Sequence, residues 1–196
     1  ITVRDTWLSD ISEKFQGSSV DYLGCEVEMY ITEDQDSIWA QYDASMGLPV
    51  EHYLETKQFA PTCALAVRRE VVEDVGHFNK SLTSGGDKEF GRRVDRAGYR
   101  MDYDDQLVVR HPVRTTMGEH VEKAKRIGVG QYQLWRRFDF APHPFYPTRF
   151  LPPNPSRITN RSCSDDRMAL LYLIDYFLKI VQTISAGREF LNLNDG

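Results

Sequence analysis

The spacing of apolar and polar positions predicts a mixture of helices and strands along the first 140 residues. Apolar side chains recur at helical spacing from Trp7 to Phe15 and alternate with polar ones from Val20 to Ile31, as in a strand. Further helices are expected over 37–46, 68–75, 88–97 and 116–138. Strands are expected over 61–67, 99–103 and 107–111, and an acidic turn is expected to join the last two. Residues 47–59 are expected to be irregular. This succession indicates an α/β fold with a mixed sheet flanked by helices.

Beyond residue 140 the pattern changes twice. Residues 141–155 contain six prolines, which predicts a linker or a lid without regular structure. Ser164 then starts a helix rich in leucine, isoleucine and aromatic residues, expected to end near Ser185. Because Asp175 and Lys179 interrupt it, we predict that this helix is too polar and too short to span a membrane, and we favour a packing helix over an interfacial one. The predicted segments are therefore 1–140, 141–163 and 164–196.

Composition and charge restrict the class of function. The 196 residues carry a net charge of −5, which argues against nucleic-acid binding because phosphates require clustered positive surface. Cys25, Cys63 and Cys163 have neither disulfide nor zinc spacing, which is typical of reduced thiols in the cytosol. We expect a cytoplasmic protein, and leave open a place at the cytoplasmic face of a membrane.

The tetrad Ser84-Gly85-Gly86-Asp87 is the candidate for catalytic chemistry. Two glycines allow the backbone to approach a ligand closely, and the dipole of the helix that follows keeps a carboxylate at its start ionised. Such a carboxylate can take the proton of an attacking hydroxyl. Taken alone, the tetrad is more typical of a helix cap after a glycine turn, so its order among other motifs decides its interpretation.

Four other motifs surround this tetrad in a fixed order: an Arg-Arg pair at Arg68, Val-Gly-His-Phe from Val75, Gly-Tyr-Arg from Gly98, and Val-Arg-His ending at His111. With them, the chain resembles the acceptor-side second half of bacterial and archaeal family 2 glycosyltransferases of the GT-A type. Residues 5–29 also fit, so the likeness covers about two thirds of the chain. It implies a partial GT-A fold with a C-terminal helical extension, in which residues 1–140 form the acceptor-side portion.

The resemblance also implies roles for particular residues. Asp87 is expected to be the general base of an inverting, metal-dependent transfer from a nucleotide-diphospho-sugar to an acceptor hydroxyl. His111 is expected to help hold Mg or Mn or the diphosphate, although a structural role for a strand-end histidine stays open. Arg114 is expected to bind substrate or to be a solvated loop charge. The full set of expected substrate contacts is Gly85, Gly86, Glu89 and Arg114.

The family's donor-binding half, with the Asp-x-Asp motif that holds most of the metal, is expected upstream of Ile1. Two internal Asp-x-Asp matches, 34–36 and 102–104, are out of order and are rejected. Leu134 replaces the arginine of the family's Gln-x-x-Arg-Trp motif, so Trp135 is expected to pack in the core. A nucleic-acid partner is not expected.

Two functions stay open. The first is a hexosyltransferase-type enzyme of glycan biosynthesis that acts on a glycan, lipid-linked or polysaccharide acceptor, with peripheral membrane association allowed. The second is a non-catalytic acceptor-binding fragment or a degenerate GT-A partner domain without a donor site.

Overall fold

The computed structural model describes residues 1–154, apart from Glu33, Gln35 and Tyr146, and residues 165–192. The strands are β1 Thr2–Val3, β2 Tyr22–Tyr30, β3 Leu65–Val67 and β4 Met101–Pro112. The helices are α1 Trp7–Gly17, α2 Ile38–Met46, α3 Val50–Lys57, α4 Arg69–Val75, α5 Gly86–Arg96, α6 Met117–Arg137 and α7 Asp165–Asn192, and 3-10 turns cover Thr62–Ala64 and Pro147–Arg149.

Contacts within the chain define two units, each with its own hydrophobic core. The first unit comprises residues 1–30, 47–80 and 86–112, and the second comprises residues 31–46, 81–85 and 113–196. The predicted segments 1–140, 141–163 and 164–196 divide the chain along its length instead, and they stay a prediction.

The first unit is built on a four-stranded mixed sheet of order β1-β4-β2-β3. The central strands β2 and β4 are parallel, and the edge strands β1 and β3 pair antiparallel with them. Tyr22, Leu23 and Cys25 of β2 are fully buried, because a central strand is covered on both faces. Phe90 and Val94 of α5 complete this core. The predicted α/β architecture is confirmed.

Strand β4 corrects the expectation of two strands joined by an acidic turn. Residues 101–104 pair with 22–25 and residues 108–112 pair with 26–30, both in the parallel sense. The chain therefore does not reverse at Asp104 and Asp105, since both parts run along the same neighbour in the same direction. Asp104 ends the first part and Asp105 begins the irregularity between the two parts, and Lys14 Nζ is 2.8 Å from Asp104 Oδ2.

Helix α3 corrects a second expectation, that of irregular chain over 47–59. Pro49 precedes its first turn, and the buried Val50 and half-buried Leu54 anchor it to the core of the first unit. Gln58, with φ 55°, ends the helix in the left-handed conformation. Eight residues give too few turns for an apolar stripe to stand out in the sequence.

The second unit is helical. Its core joins Tyr42 of α2, Ala124 of α6 and, from α7, Leu171, Ile174 and Leu178. A β-carbon added at Gly128 of α6 would lie 2.2 Å from the carbonyl oxygen of Gln182, so the two long helices come into backbone contact there. A glycine that weakens the helical pattern in the sequence is thus required by packing.

Helix α7 is longer than the sequence pattern predicts. Its start at Ser164 lies outside the described residues, and it runs to Asn192 rather than ending near Ser185. By length and composition alone, Asp166–Asn192 is long and apolar enough to cross a membrane. The expectation that it is too short and too polar is therefore wrong. One face packs in the core, whereas Leu173 and Ile184 on the other are more than half exposed.

Candidate active site

Asp87 lies in the first turn of α5. Gly85 precedes the helix with φ 82°, Gly86 is the first helical residue, and Asp87 follows it. Its Oδ1 accepts a hydrogen bond of 2.9 Å from the backbone N–H of Lys88. Asp87 is therefore the second residue of the helix rather than the residue that caps it, and its carboxylate lies within reach of the positive end of the helix dipole.

Packing of the buried face of α5 fixes the position of the helix that carries Asp87. The ring of Phe90 lies 6.2 Å from that of Tyr22 and 4.5 Å from that of Phe78. Gly91 lets α5 approach the backbone of Gln58 closely, because a β-carbon at position 91 would lie 2.3 Å from the carbonyl oxygen of Gln58. Such contacts leave α5 little freedom to slide.

Tyr22 is a buried neighbour of Asp87 that sequence reasoning does not identify. Its hydroxyl accepts a 2.8 Å hydrogen bond from the backbone N–H of Ala60. Burial raises the pKa of Tyr22 well above its usual range, the Ala60 hydrogen bond opposes this, and the charge of Asp87 raises it further. The phenol therefore stays neutral. In the sequence, Tyr22 shows only as one residue of a strand.

Glu89, an expected substrate contact, has a protein partner. Its side chain is buried, and Arg93 donates to it from Nε at 2.7 Å and from Nη2 at 3.0 Å. Arg93 also donates to the backbone carbonyls of Val75 and His77. This network ties α5 to the end of α4, and it accounts for the carboxylate of Glu89 without a ligand. A substrate contact for Glu89 stays a prediction.

His111 lies near the end of β4, opposite Met29 of β2. Its Nδ1 is 2.8 Å from the carbonyl oxygen of Pro112, so a tautomer with the proton on Nδ1 donates to that oxygen and has its lone pair on Nε2. Such an imidazole can bind a metal through Nε2. Within the described part of the chain, no group of three or more His, Cys, Asp or Glu side chains converges as a metal site.

Arg114 belongs to the second unit, where Asp43 of α2 holds it. Asp43 is 3% exposed, and its Oδ2 accepts from the backbone N–H of Arg114 at 2.9 Å and from its Nη1 at 3.3 Å. Lys123 of α6 lies 3.3 Å from Oδ1. Burial alone would raise the pKa of Asp43, but Lys123 and Arg114 outweigh it and lower the pKa, so the carboxylate is ionised.

His120 lies under this charged group and stays neutral. Its Nε2 is 3.2 Å from the carbonyl oxygen of Trp39 and 3.3 Å from that of Arg114. Burial lowers the pKa of the imidazole. Because Asp43 and His120 lie on different helices, 77 positions apart in the sequence, no local pattern connects them.

The chain is similar to known enzymes that transfer sugars. No protein-family model matches the chain. It is 33% identical over 129 residues to glycosyltransferase AglE of Haloferax volcanii, over 66% of this chain and 42% of that protein. It is 26% identical over 131 residues to the pre-mycofactocin glycosyltransferase of Mycobacterium tuberculosis, over 63% of this chain and 27% of that protein. This chain is related to glycosyltransferases.

The fold agrees with this relationship. The mannosyltransferase PcManGT from Pyrobaculum calidifontis, solved in complex with GDP-Man and Mn2+, matches with a TM-score of 0.50 and 16% identity. The match covers 96% of this chain and 59% of that one. The expected GT-A-type fold is thereby confirmed. The chain spans less than half the length of the two curated glycosyltransferases.

Proposed function

We propose that this chain is the acceptor-side part of an inverting glycosyltransferase in which Asp87 is the general base. The observation that supports this most is the position of Asp87, behind a glycine turn and in the first turn of α5, in a chain related to glycosyltransferases. Assignment to family 2 goes with this proposal, on the order of motifs around the tetrad.

The reaction follows from a carboxylate at that position. Asp87 takes the proton of an acceptor hydroxyl while that oxygen forms a bond to the anomeric carbon of the donor sugar. The bond from the anomeric carbon to the nucleoside diphosphate breaks on the opposite face, and the diphosphate leaves with the bonding electrons. Attack opposite the leaving group inverts the anomeric configuration.

The surroundings of α5 suit this role, because a base has to be held within a fraction of an ångström of the proton it removes. The Glu89–Arg93 network and the close approach at Gly91 both fix the helix that carries Asp87. The buried phenol of Tyr22, neutral at physiological pH, gives the base a polar neighbour that does not compete for its proton.

The donor in this proposal is a nucleotide-diphospho-sugar, and the acceptor is a glycan, a lipid-linked glycan or a polysaccharide. The mannosyltransferase with the similar fold was solved with GDP-Man and Mn2+. A divalent ion would neutralise charge on the departing diphosphate. The described residues do not assemble a metal centre, so His111 is proposed as a single ligand and Arg114 as a phosphate contact.

The test is a transfer assay on the complete protein with Mn2+, UDP- and GDP-hexoses and a panel of hydroxyl acceptors. Asp87→Asn should lower kcat by about 10²- to 10⁴-fold. Asp95→Asn is the matched control, since it makes the same change at an exposed position of the same helix, and it should stay within about two-fold of the parent. NMR of the product should show an inverted anomeric centre.

Three results would count against the proposal in different ways. Full activity of Asp87→Asn would disprove the base assignment. A product with retained configuration would disprove the displacement. Binding of acceptor without any transfer by the complete protein would instead support a non-catalytic acceptor-binding module.

A further inference from the structure

We propose that helix α6 positions the turn that leads into Asp87, and that Gln133 is the main positioning residue. The inference rests on the proposed role of Asp87 as the base. It concerns contacts inside the second unit, between α6 and residues 81–85, which run into Gly86 and Asp87 through the next peptide bonds.

Gln133 forms two hydrogen bonds to a single residue of this turn. Its Oε1 accepts from the backbone N–H of Thr83 at 2.8 Å, and its Nε2 donates to the hydroxyl of Thr83 at 3.1 Å. A side-chain amide that uses its donor and its acceptor together fixes both the position and the orientation of its partner. Nε2 is also 3.3 Å from Oε1 of Glu189 on α7, which steadies the amide itself.

Arg137, one helical turn further along α6, holds the start of the same segment. Its Nη1 donates to the hydroxyl of Ser81 at 2.5 Å and to the carbonyl oxygen of Ser81 at 3.4 Å. Residues four positions apart lie on the same face of a helix, so Gln133 and Arg137 hold residues 83 and 81 from one side.

Steric contacts complete the attachment at the end of the segment. A β-carbon on Gly130 would lie 2.5 Å from the carbonyl oxygen of Ser84, and one on Gly85 would lie 2.6 Å from Cδ1 of Leu134. Residues 130, 133, 134 and 137 follow the i, i+3, i+4, i+7 spacing of one helix face. This face, which we name the α6 clamp, therefore contacts residues 81 and 83–85.

The α6 clamp matters because it holds the turn that leads into the base, and two successive glycines, Gly85 and Gly86, lie directly before Asp87. Gly-Gly samples a wider range of backbone angles than any other pair of residues, so an unattached turn would leave the residues that join α5 free to adopt many conformations, even though the buried face of α5 is held. A displacement of about 1 Å at a reacting group can cost about 10²-fold in rate. Fixing Ser84 and Gly85 restricts the angles at which the chain enters Gly86 and Asp87.

Two residues of the α6 clamp, Gln133 and Leu134, lie within the stretch that partly matches the Gln-x-x-Arg-Trp motif. Gln131, the glutamine of that likeness, has its Oε1 3.2 Å from Nη1 of Arg149, and the ring of Trp135 lies 4.4 Å from that of His143. Leu134, which replaces the arginine, is the residue against Gly85. The glutamine that holds the turn is Gln133, two positions after Gln131.

The main test is Gln133→Ala in the complete protein, with donor hydrolysis and transfer as readouts. We expect kcat to fall about ten- to hundred-fold while KM for the nucleotide-sugar changes less than about three-fold. Arg136→Ala is the control, because it removes an exposed arginine of the same helix that makes none of these contacts, and it should stay within about three-fold of the parent.

A double-mutant comparison separates positioning of the base from a general structural effect. In the Asp87→Asn background there is no base left to position, so adding Gln133→Ala should reduce the residual rate less than about two-fold. A loss as large as in the parent protein would overturn the proposal. Full activity of Asp87→Asn alone would instead disprove the proposed role of Asp87 as the base.

A second readout does not depend on activity. Amide hydrogen exchange at Gly85, Gly86 and Asp87 should be about ten-fold faster in Gln133→Ala than in the parent, because the turn is released locally. If Gln133→Ala does not fold properly, Arg137→Ala serves as the second variant, and it should also speed exchange at these three amides. Unchanged exchange in both variants would overturn the α6 clamp whatever the enzyme assay shows.

Discussion

Replacement of Gly91 by alanine tests how closely α5 is seated. Gly91 lies inside the helix, where a glycine costs about 1 kcal/mol of stability relative to alanine. Local propensity alone therefore predicts that Gly91→Ala stabilises the protein. The contacts predict the opposite, because the new methyl group would lie 2.3 Å from the carbonyl oxygen of Gln58, and 2.7 Å and 2.8 Å from Cβ and Cα of Phe59.

The magnitudes decide between these two effects. Overpacking typically costs about 1–3 kcal/mol, and the upper end applies here because backbone atoms cannot turn away as a side chain does. After the gain in helix propensity is subtracted, the net loss in the free energy of unfolding is about 2 kcal/mol. For a chain of this size, that corresponds to a decrease in Tm of about 4–8 °C.

The assay is thermal unfolding followed by circular dichroism, with Gly118→Ala as the matched control. Gly118 lies in the first turn of α6, and its added methyl group would meet no described atom within 4 Å, so its Tm should stay or rise slightly. If Gly91→Ala raised the Tm as much as Gly118→Ala, the close seating of α5 would be wrong. The loss of Tm should be accompanied by a loss of transfer activity, since α5 carries Asp87.

Three further predictions concern charge and burial. Arg93→Met should lower the free energy of unfolding by about 3–5 kcal/mol, measured in urea, because it leaves the carboxylate of Glu89 buried and unpaired. If Arg93→Met lost less free energy of unfolding than Glu89→Gln, this explanation would be wrong. Burial lowers the pKa of His120, so the unfolded chain binds the proton more readily than the folded protein does. The Tm should therefore fall as the pH drops below about 6.5. A Tm that does not change between about pH 8 and about pH 5 would refute this. Burial raises the pKa of Cys25 to about 12, so peptide mapping after brief alkylation of the native protein should find the half-buried Cys63 modified before Cys25.

Much of the fold follows from the sequence because helices and strands of the first unit have a strong apolar period. The parallel pairing of β2 with β4 does not, since the acidic residues 104 and 105 are equally typical of a hairpin turn. A turn and an irregularity in a long strand have the same local composition, and only the neighbouring strand distinguishes them. Helix α3 cannot be predicted from the sequence for a related reason, since eight residues are too few to show an apolar period.

The candidate site shows a similar limit. Asp87 stands out in the sequence because it follows two glycines and begins a helix. Tyr22, Asp43 and Gln133 do not stand out, because each gains its importance from a partner distant in the sequence: Ala60, Arg114 and Thr83. Sequence patterns report local geometry well, whereas the second layer of contacts around a site depends on tertiary packing.

The two glycines before Asp87 have different reasons to be glycine, and this difference gives a last prediction. Gly85 has φ 82° and contacts Leu134, so alanine there is both strained and crowded. Gly86 is helical, and a β-carbon on it would meet no atom of the described residues within 4 Å. Nothing in the described part of the chain therefore requires a glycine at position 86.

If Gly86 contacts substrate, as the sequence predicts, then Gly86→Ala should leave Tm unchanged or slightly raised and should increase KM for the acceptor, because the methyl group would occupy space that a sugar approaches. Gly85→Ala should instead lower Tm and kcat together, through backbone strain and displacement of the turn. Steady-state kinetics and thermal unfolding of the two variants, measured side by side, distinguish these effects. Wild-type kinetics for Gly86→Ala across the acceptor panel would show that position 86 does not contact substrate.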